Sequence, residues 1–584
     1  MKNKNAAVRI YTLLSKYRGL LALALIGAVI SVGCNLAAPL FIGRTIDLMV
    51  GPSKVDFTAI AKLLTIMAAI FLAGCFFTWL LNFSVNRAAY KSMRDLRGLL
   101  FDKLGVLPLS FYDTRPHGDT VSRFINDVDI ISDGLIQGLV ALVSGVITIV
   151  GCIVFMLSIN PLMTLVVVLC APAAFFISRF ITVHSQQLFK DQARLLGELN
   201  GYSEEIIEGH KTVRAFGYEK ASRRRFGEIN SRLYATGVRS QFISSLANPS
   251  ARVVNNIAYA LVGVIGGAAA INGTITVGDI SSFLIFQVIF AKPFNDITSI
   301  LTQLQSAAAS AQRVFDVLDL PPETPDPSDA QTPEKCAGAV SFNDVNFSYV
   351  PGQDLIRNFT LKVEPGCKVA IVGHTGAGKT TLVNLLMRFY DVDSGSITLD
   401  GVDIRRMKRD DLRRSFGMVL QDTWLFEGTI RDNIAYAKPG ASMGEIIAAA
   451  KNAGADDFIR RLAHGYDTVL RDAGDNLSQG QKQLLTIARV MLADPPILIL
   501  DEATSSIDTS TEARIQKAFM KMTEGRTSFV IAHRLSTVKN ADTIIVMDKG
   551  AIVEEGRHDE LLRKNGSYAE LYNSQFQGQE NSAL

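Results

Sequence analysis

Eight consecutive residues, Gly373, His374, Thr375, Gly376, Ala377, Gly378, Lys379 and Thr380, follow the spacing G-x-x-x-x-G-K-[ST], with Thr381 directly behind them. In such a loop the glycines let backbone N–H groups approach a polyphosphate. Lys379 would hold the β- and γ-phosphates of ATP, and the Thr380 hydroxyl would ligate Mg²⁺. Further along, ILILDE (497–502) ends four apolar residues with two carboxylates. A buried strand there would deliver Asp501 to the same Mg²⁺, and Glu502 would polarise an attacking water as general base. The chemistry implied is hydrolysis of a phosphoanhydride.

These side chains need particular elements behind them. The stretch CKVAIVG (367–373) reads as a buried strand and TLVNLLMRF (381–389) as a helix, so the glycine-rich loop would open onto a helix N-terminus with its positive dipole end. That context belongs to a soluble α/β domain, and only the C-terminal part of the 584 residues has the mixed composition of one. The length suits two large domains, and the averages of +3 net charge and 48% hydrophobic residues hide a division between them. Six cysteines (34, 75, 152, 170, 336 and 367) show no C-x-x-C pair or regular spacing, which supports neither a metal site nor a disulfide framework.

The N-terminal part carries long uncharged runs. Residues 19–43 and 63–85 each exceed what a helix needs to cross the hydrocarbon. Residues 134–178 can cross twice, turning at Asn160-Pro161; 253–271 makes a fifth span, ended by Asn272-Gly273. The sixth, over 277–300, is the weakest, because Lys292, Pro293 and Asp296 follow its apolar start. The first apolar stretch is too long for a signal peptide and reads as a retained span. Lys and Arg crowd the N-terminus and the two long loops, about 86–133 and 179–252, which places both on the cytoplasmic side. An ATP-using domain must be cytoplasmic as well, so the span count is even. Helical periodicity continues through both loops, and their turns, 113–119 and 216–219, are the expected contacts with the ATPase. The amides Asn35, Asn82, Gln137, Asn255, Asn256 and Gln287 could line a cavity or bond between helices. The scarcity of intramembrane charge argues against proton coupling.

The sequence LSQGQ (477–481), just before the ILILDE strand, separates this chain from other P-loop proteins. With it the chain resembles the ATP-binding cassette (ABC) exporters that fuse six spans to one cassette, and the motifs occur in the family's order along essentially the whole chain. The fold this implies is a six-helix, all-α transmembrane domain (1–320, spans near 19–43, 63–85, 134–158, 161–181, 253–271 and 277–300). A linker (321–338), an α/β nucleotide-binding domain (339–578) and a short tail (579–584) follow.

The resemblance also implies roles. Tyr349 would stack on adenine, and Gln421 would reach Mg²⁺ and the water. Ser478, Gln479, Gly480 and Gln481 would face the γ-phosphate held by a second cassette. Asp508 would communicate across the cassette pair, and His533 would contact the γ-phosphate. Because each ATP needs a P-loop from one cassette and a signature from another, two half-transporters must associate. Where the family has LSGGQ this chain has Gln479, and SSID (505–508) stands where SALD is usual. Both departures are reminiscent of heterodimers with one degenerate site, a reading favoured over the homodimer. The expected substrate is a hydrophobic or amphipathic small molecule, drug-like or lipid-like, exported across the cytoplasmic membrane by alternating access. A dedicated peptide exporter and an ATP-gated channel or regulatory subunit are the alternatives. The lipid bilayer is a partner, and nucleic acid is not.

Overall fold

The computed structural model describes residues 6–49, 55–331, 336–420, 423–471, 474, 476–501, 508–531 and 538–575. The chain forms two units: Met1–Leu107 with Arg115–Pro321, and Pro108–Thr114 with Pro322–Leu584.

The first unit is helical. Among the described residues five stretches are long and apolar enough to cross a membrane: Arg18–Asp47, Phe57–Leu104, His117–Ile159, Glu219–Ile271 and Val277–Phe294. A shorter apolar run, Pro161–Cys170, opens the helix Pro161–Glu208. Leu72 and Val264 are 73% and 72% exposed, an outer surface suited to lipid and not to water. Phe57–Leu104 and Pro161–Glu208 have 48 residues each. At 1.5 Å per residue that is about 70 Å, over twice the hydrocarbon thickness, so both helices run far beyond the membrane.

Local chemistry sets the helix ends. Asp56 accepts from the N–H groups of Thr58 and Ala59, both at 3.0 Å, and starts the second crossing. Asn160 accepts from Leu162 and Met163 (3.0 and 3.1 Å), with Pro161 in the first helical turn, so the chain reverses across a single residue. Thr276 and Asp279 form a reciprocal cap that opens Val277–Leu318. This last helix stays continuous past Lys292 and Pro293 despite its weak hydropathy. It packs closely on the first crossing: a Cβ on Gly278 would lie 2.1 Å from the Gly43 carbonyl oxygen, so no side chain fits there. Asp47 fastens the same junction, accepting from Gly278 N–H at 2.7 Å and from the Thr276 hydroxyl at 2.8 Å. At the far end of the helix, Asp319 pairs with Arg9 at 2.6 Å.

The second unit is α/β. Strands β1 (Val340–Phe347), β2 (Ile356–Val363), β4 (Ser394–Leu399) and β5 (Val402–Asp403) form an antiparallel sheet in the order β2-β1-β4-β5. The main sheet has six strands: β3 (Lys368–Gly373), β6 (Phe416–Val419), β9 (Ile497–Asp501), β10 (Thr527–Ile531), β11 (Thr543–Asp548) and β12 (Ala551–Gly556). Their order is β12-β11-β3-β10-β9-β6, with only β12 antiparallel to its neighbour. A short pair, β7 (Gly428–Thr429) and β8 (Val469–Leu470), lies apart. One apolar core sits between the two sheets. A second gathers helices Ile430–Ala435, Met443–Asn452 and Gln479–Ala493 against β6 and β9.

Acidic residues of the Pro-rich stretch after the last long helix belong to this unit. Asp326 accepts from the buried Arg409 at 2.8 Å, the Thr324 carbonyl accepts from it at 2.6 Å, and Glu323 pairs with Arg409 and Arg413. The segment Pro108–Thr114, read as part of the first cytoplasmic loop, contributes a short helix, Leu109–Asp113, with Phe111 buried.

Candidate functional site

The phosphate loop leaves β3 and enters helix Lys379–Leu386. Gly378, the residue before that helix, has φ +98°, a conformation that side chains resist, and a Cβ there would strike Ile356 at 2.7 Å. His374, Thr375 and Gly376 are exposed at the tip, whereas Ala377 and Thr381 are buried and anchor the loop. Lys379 folds over its own loop, its Nζ donating to the carbonyls of Gly373 (2.7 Å) and His374 (3.0 Å). Burial pushes the Lys379 ammonium below its ordinary pKa, and the charge of Asp501 acts in the opposite direction. Thr380 is exposed in the first turn of the helix.

Asp501 closes β9. Ile371 of β3 pairs with Ile531 of β10, which is one step along the sheet from Asp501, so loop and carboxylate share the carboxyl edge of the sheet. Two strand spacings separate β3 from β9, about 10 Å, a distance a bound phosphate and its metal can bridge. In open parallel sheets, ligand crevices lie at this carboxyl edge. Gln421, Glu502 and His533 lie outside the described residues.

Tyr349 meets Phe347 and Tyr390 edge to face, each at 4.9 Å, and its hydroxyl accepts from Asn384 at 3.1 Å. Tyr390 donates in turn to Asp113 of the Leu109–Asp113 helix at 2.5 Å. Burial first, and this carboxylate second, push the Tyr390 hydroxyl pKa up. Asp113 opens the turn 113–119 that the sequence marked as meeting the ATPase; Tyr390 and Asn384 were missed as neighbours of the adenine-stacking position. No motif marks them, and the only local hint is the adjacency Phe389-Tyr390 after the P-loop helix.

The LSQGQ segment caps helix Gln479–Ala493. Ser478 Oγ accepts from the Gln481 N–H at 3.3 Å, and Gln481 Oε1 accepts from the Ser478 N–H at 2.9 Å. This reciprocal cap fixes the helix start and leaves its first N–H groups without intrahelical acceptors, as a helix N-terminus does. The Gln479 side chain, standing where the family has glycine, donates to Thr423 Oγ1 at 3.3 Å. None of the hydrogen bonds found for this segment among the described residues reaches residues 373–381. Asp508 also caps a helix, Thr509–Thr523, accepting from Thr511 N–H and Ser510 Oγ, both at 2.9 Å. These bonds hold its carboxyl down at about 2.

In the helical unit a cavity of about 1040 Å³ is lined by Asn35, Asn255, Asn256 and Gln287, four of the six amides singled out from the sequence. Asn82 instead faces a separate surface hollow beside Trp79 and Arg87, and Gln137 is absent from both linings. The cavity wall also carries Tyr259, Arg252 and Lys292, which the sequence reading did not select.

Residues 21–294 match the family described as ABC transporter transmembrane region, and residues 356–505 the one described as ABC transporter. An uncharacterized ABC transporter ATP-binding protein of Bacillus subtilis is 42% identical over 98% of this chain and 95% of its own. A fatty acid ABC transporter ATP-binding/permease protein of Mycobacterium bovis is 44% identical over 92% of this chain and 85% of its own. The solved structure of a bacterial Atm1-family ABC exporter with ATP bound matches with a TM-score of 0.78 at 31% identity, covering 96% of this chain and 98% of that one.

Proposed function

Since this chain belongs to the ABC transporter family and has the fold of its ATP-hydrolysing exporters, set in a membrane with the cassette on the cytoplasmic side, we propose that it drives hydrophobic or amphipathic, lipid-like molecules out across the cytoplasmic membrane. The observation carrying this reading is the pairing, in one chain, of an assembled P-loop edge with a large amide-lined cavity among apolar helices. The fatty acid transporter among the relatives supports the lipid-like character.

Catalysis follows from the groups at the sheet edge. The loop N–H groups and Lys379 bind and orient the phosphates; Lys379 exchanges its two loop carbonyls for phosphate oxygens. Tyr349, held by Asn384 and Tyr390, offers its ring to the adenine. Glu502 takes the proton of the attacking water, and His533 and Gln421 position water and γ-phosphate. Mg²⁺ fits the donors present, because the Thr380 hydroxyl and the Asp501 carboxylate are hard oxygens that phosphate and water would complete. When bound, it neutralises the charge of the β- and γ-oxygens.

ABC exporters work as dimers, and the partner here is a second half-exporter whose signature would face this P-loop. A heterodimer is favoured by Gln479: the bulky amide stands where the partner's γ-phosphate would meet glycine. Reconstitution of the full chain with its partner in vesicles tests the export reading. ATP-dependent movement of lipid-like fluorophores should appear, and Glu502→Gln or Lys379→Ala should remove it. Movement that persists without ATP, or ATP turnover that never moves an amphiphile, would sink it.

A further inference from the structure

Most of the cavity wall in the helical unit is apolar, yet its only charged members among the described residues are both cations, Arg252 and Lys292. Neither forms an ion pair with another described residue, and among the described residues the wall carries no carboxylate. Charges within membrane helices are costly and are kept for ligands, partners or ions.

Their depth is informative. Lys292 stands fifteen residues from the start of Val277–Leu318, and Arg252 nineteen residues before the end of Ala247–Ile271. At 1.5 Å per residue these are about 22 and 28 Å from the outer helix ends, in a hydrocarbon layer about 30 Å thick. Both cations therefore lie in the cytoplasmic half of the layer, Lys292 within it and Arg252 at its inner edge.

Gln287 adds a second feature. It lines the cavity at 4% exposure, donates through Nε2 to the Asn255 carbonyl at 3.2 Å, and leaves its Oε1 buried with no donor. A buried, unmet acceptor is costly unless water or a ligand hydroxyl or amide supplies the missing bond.

Resting on the export reading above, we propose that this cavity binds an acyl amphiphile with an anionic head, carboxylate or phosphate. The head lies at Arg252 and Lys292, a head-group donor reaches Gln287, and the tail follows the apolar wall. Phe71, Val146 and Val288 provide such a wall on three different helices. In sequence, Asp296 follows Lys292 by four positions. Were Lys292 committed to that acid, its removal would leave ligand selectivity untouched.

The test titrates the full-length chain, in nanodiscs of phosphatidylcholine, with oleoyl probes differing only in the head: oleate, lysophosphatidic acid, monoolein and oleylamine. At least one anion should bind about tenfold more tightly than monoolein, a preference that weakens with salt. Success with lysophosphatidic acid alone assigns a phosphate head, and success with both anions shows that a carboxylate suffices. The pair Arg252→Gln with Lys292→Gln should erase the preference, and Arg252→Lys with Lys292→Arg should restore it, which separates charge from folding. Equal binding of monoolein or oleylamine, or an unchanged preference in the glutamine pair, overturns the assignment. Failure of the export reading shows differently: no amphiphile of any charge is moved by ATP, whatever the binding titrations give.

Discussion

At Asp508 one carboxylate caps a helix, and the dimer proposed above would have it answer a second cassette as well. Its pKa is held at about 2 by bonds from Thr511 and Ser510. A carboxyl depressed on folding contributes stability that is complete above the ordinary carboxylate range near 4 and is lost as pH falls through about 2. Asp508→Asn keeps an N-cap acceptor and removes the charge, so its melting temperature should stay close to the parent at neutral pH and lose the acid-dependent component. Asp508→Ala should melt lower throughout. Thermal unfolding followed across pH distinguishes the two. The phosphate loop, by contrast, was legible in the sequence because all its parts are local: the glycines, Lys379 and Thr380 act within one turn of chain. Tyr390 and Thr423 were not legible, because their partners lie far along the chain and only the fold joins them; Asp113 stood in a turn expected to meet the ATPase, but its partner was not legible. Among the amides, type announced a polar group inside the membrane, but helix rotation decided that Gln287 faces the cavity and Gln137 does not.

At the scale of elements, two junctions carry predictions. The first and last crossings meet at Gly43 and Gly278, where a Cβ would lie 2.1 Å from a carbonyl oxygen of rigid backbone. Gly278→Ala should force the helices apart and cost about 2 kcal/mol, the ordinary range for overpacking, read as a lower unfolding midpoint of the purified chain in detergent. The Pro-rich stretch is the second. It reads in sequence as a linker, because composition cannot show that Arg409, far along the chain, is buried against its acids. Arg409→Ala removes charge-assisted bonds to Asp326 and Thr324 and should cost the cassette about 2 kcal/mol, visible as loss of the cassette transition in calorimetry of the full chain. The crossings themselves were readable from uncharged runs, and the Asn160-Pro161 reversal was readable from cap chemistry. The length of the helices beyond the membrane showed only as periodicity in the loops.

At the scale of the molecule, the heterodimer proposal makes a kinetic prediction. The full chain purified alone should hydrolyse ATP slowly, and addition of the partner half should raise turnover by about tenfold or more, measured as phosphate release. Brisk turnover by this chain alone would count against a degenerate partner site, and Gln479→Gly should then change little. The connection between the two units sets a further bound. Asp319 is pinned by Arg9, and Glu323 by Arg409, so only Leu320, Pro321 and Pro322 lie between anchors. Four residue steps reach at most about 14 Å, and adjacent prolines favour a stiff extended path. The segment between these anchors is therefore a short rod instead of a slack cord, and inserting a few glycines at Pro322 would soften it without touching the ATP site.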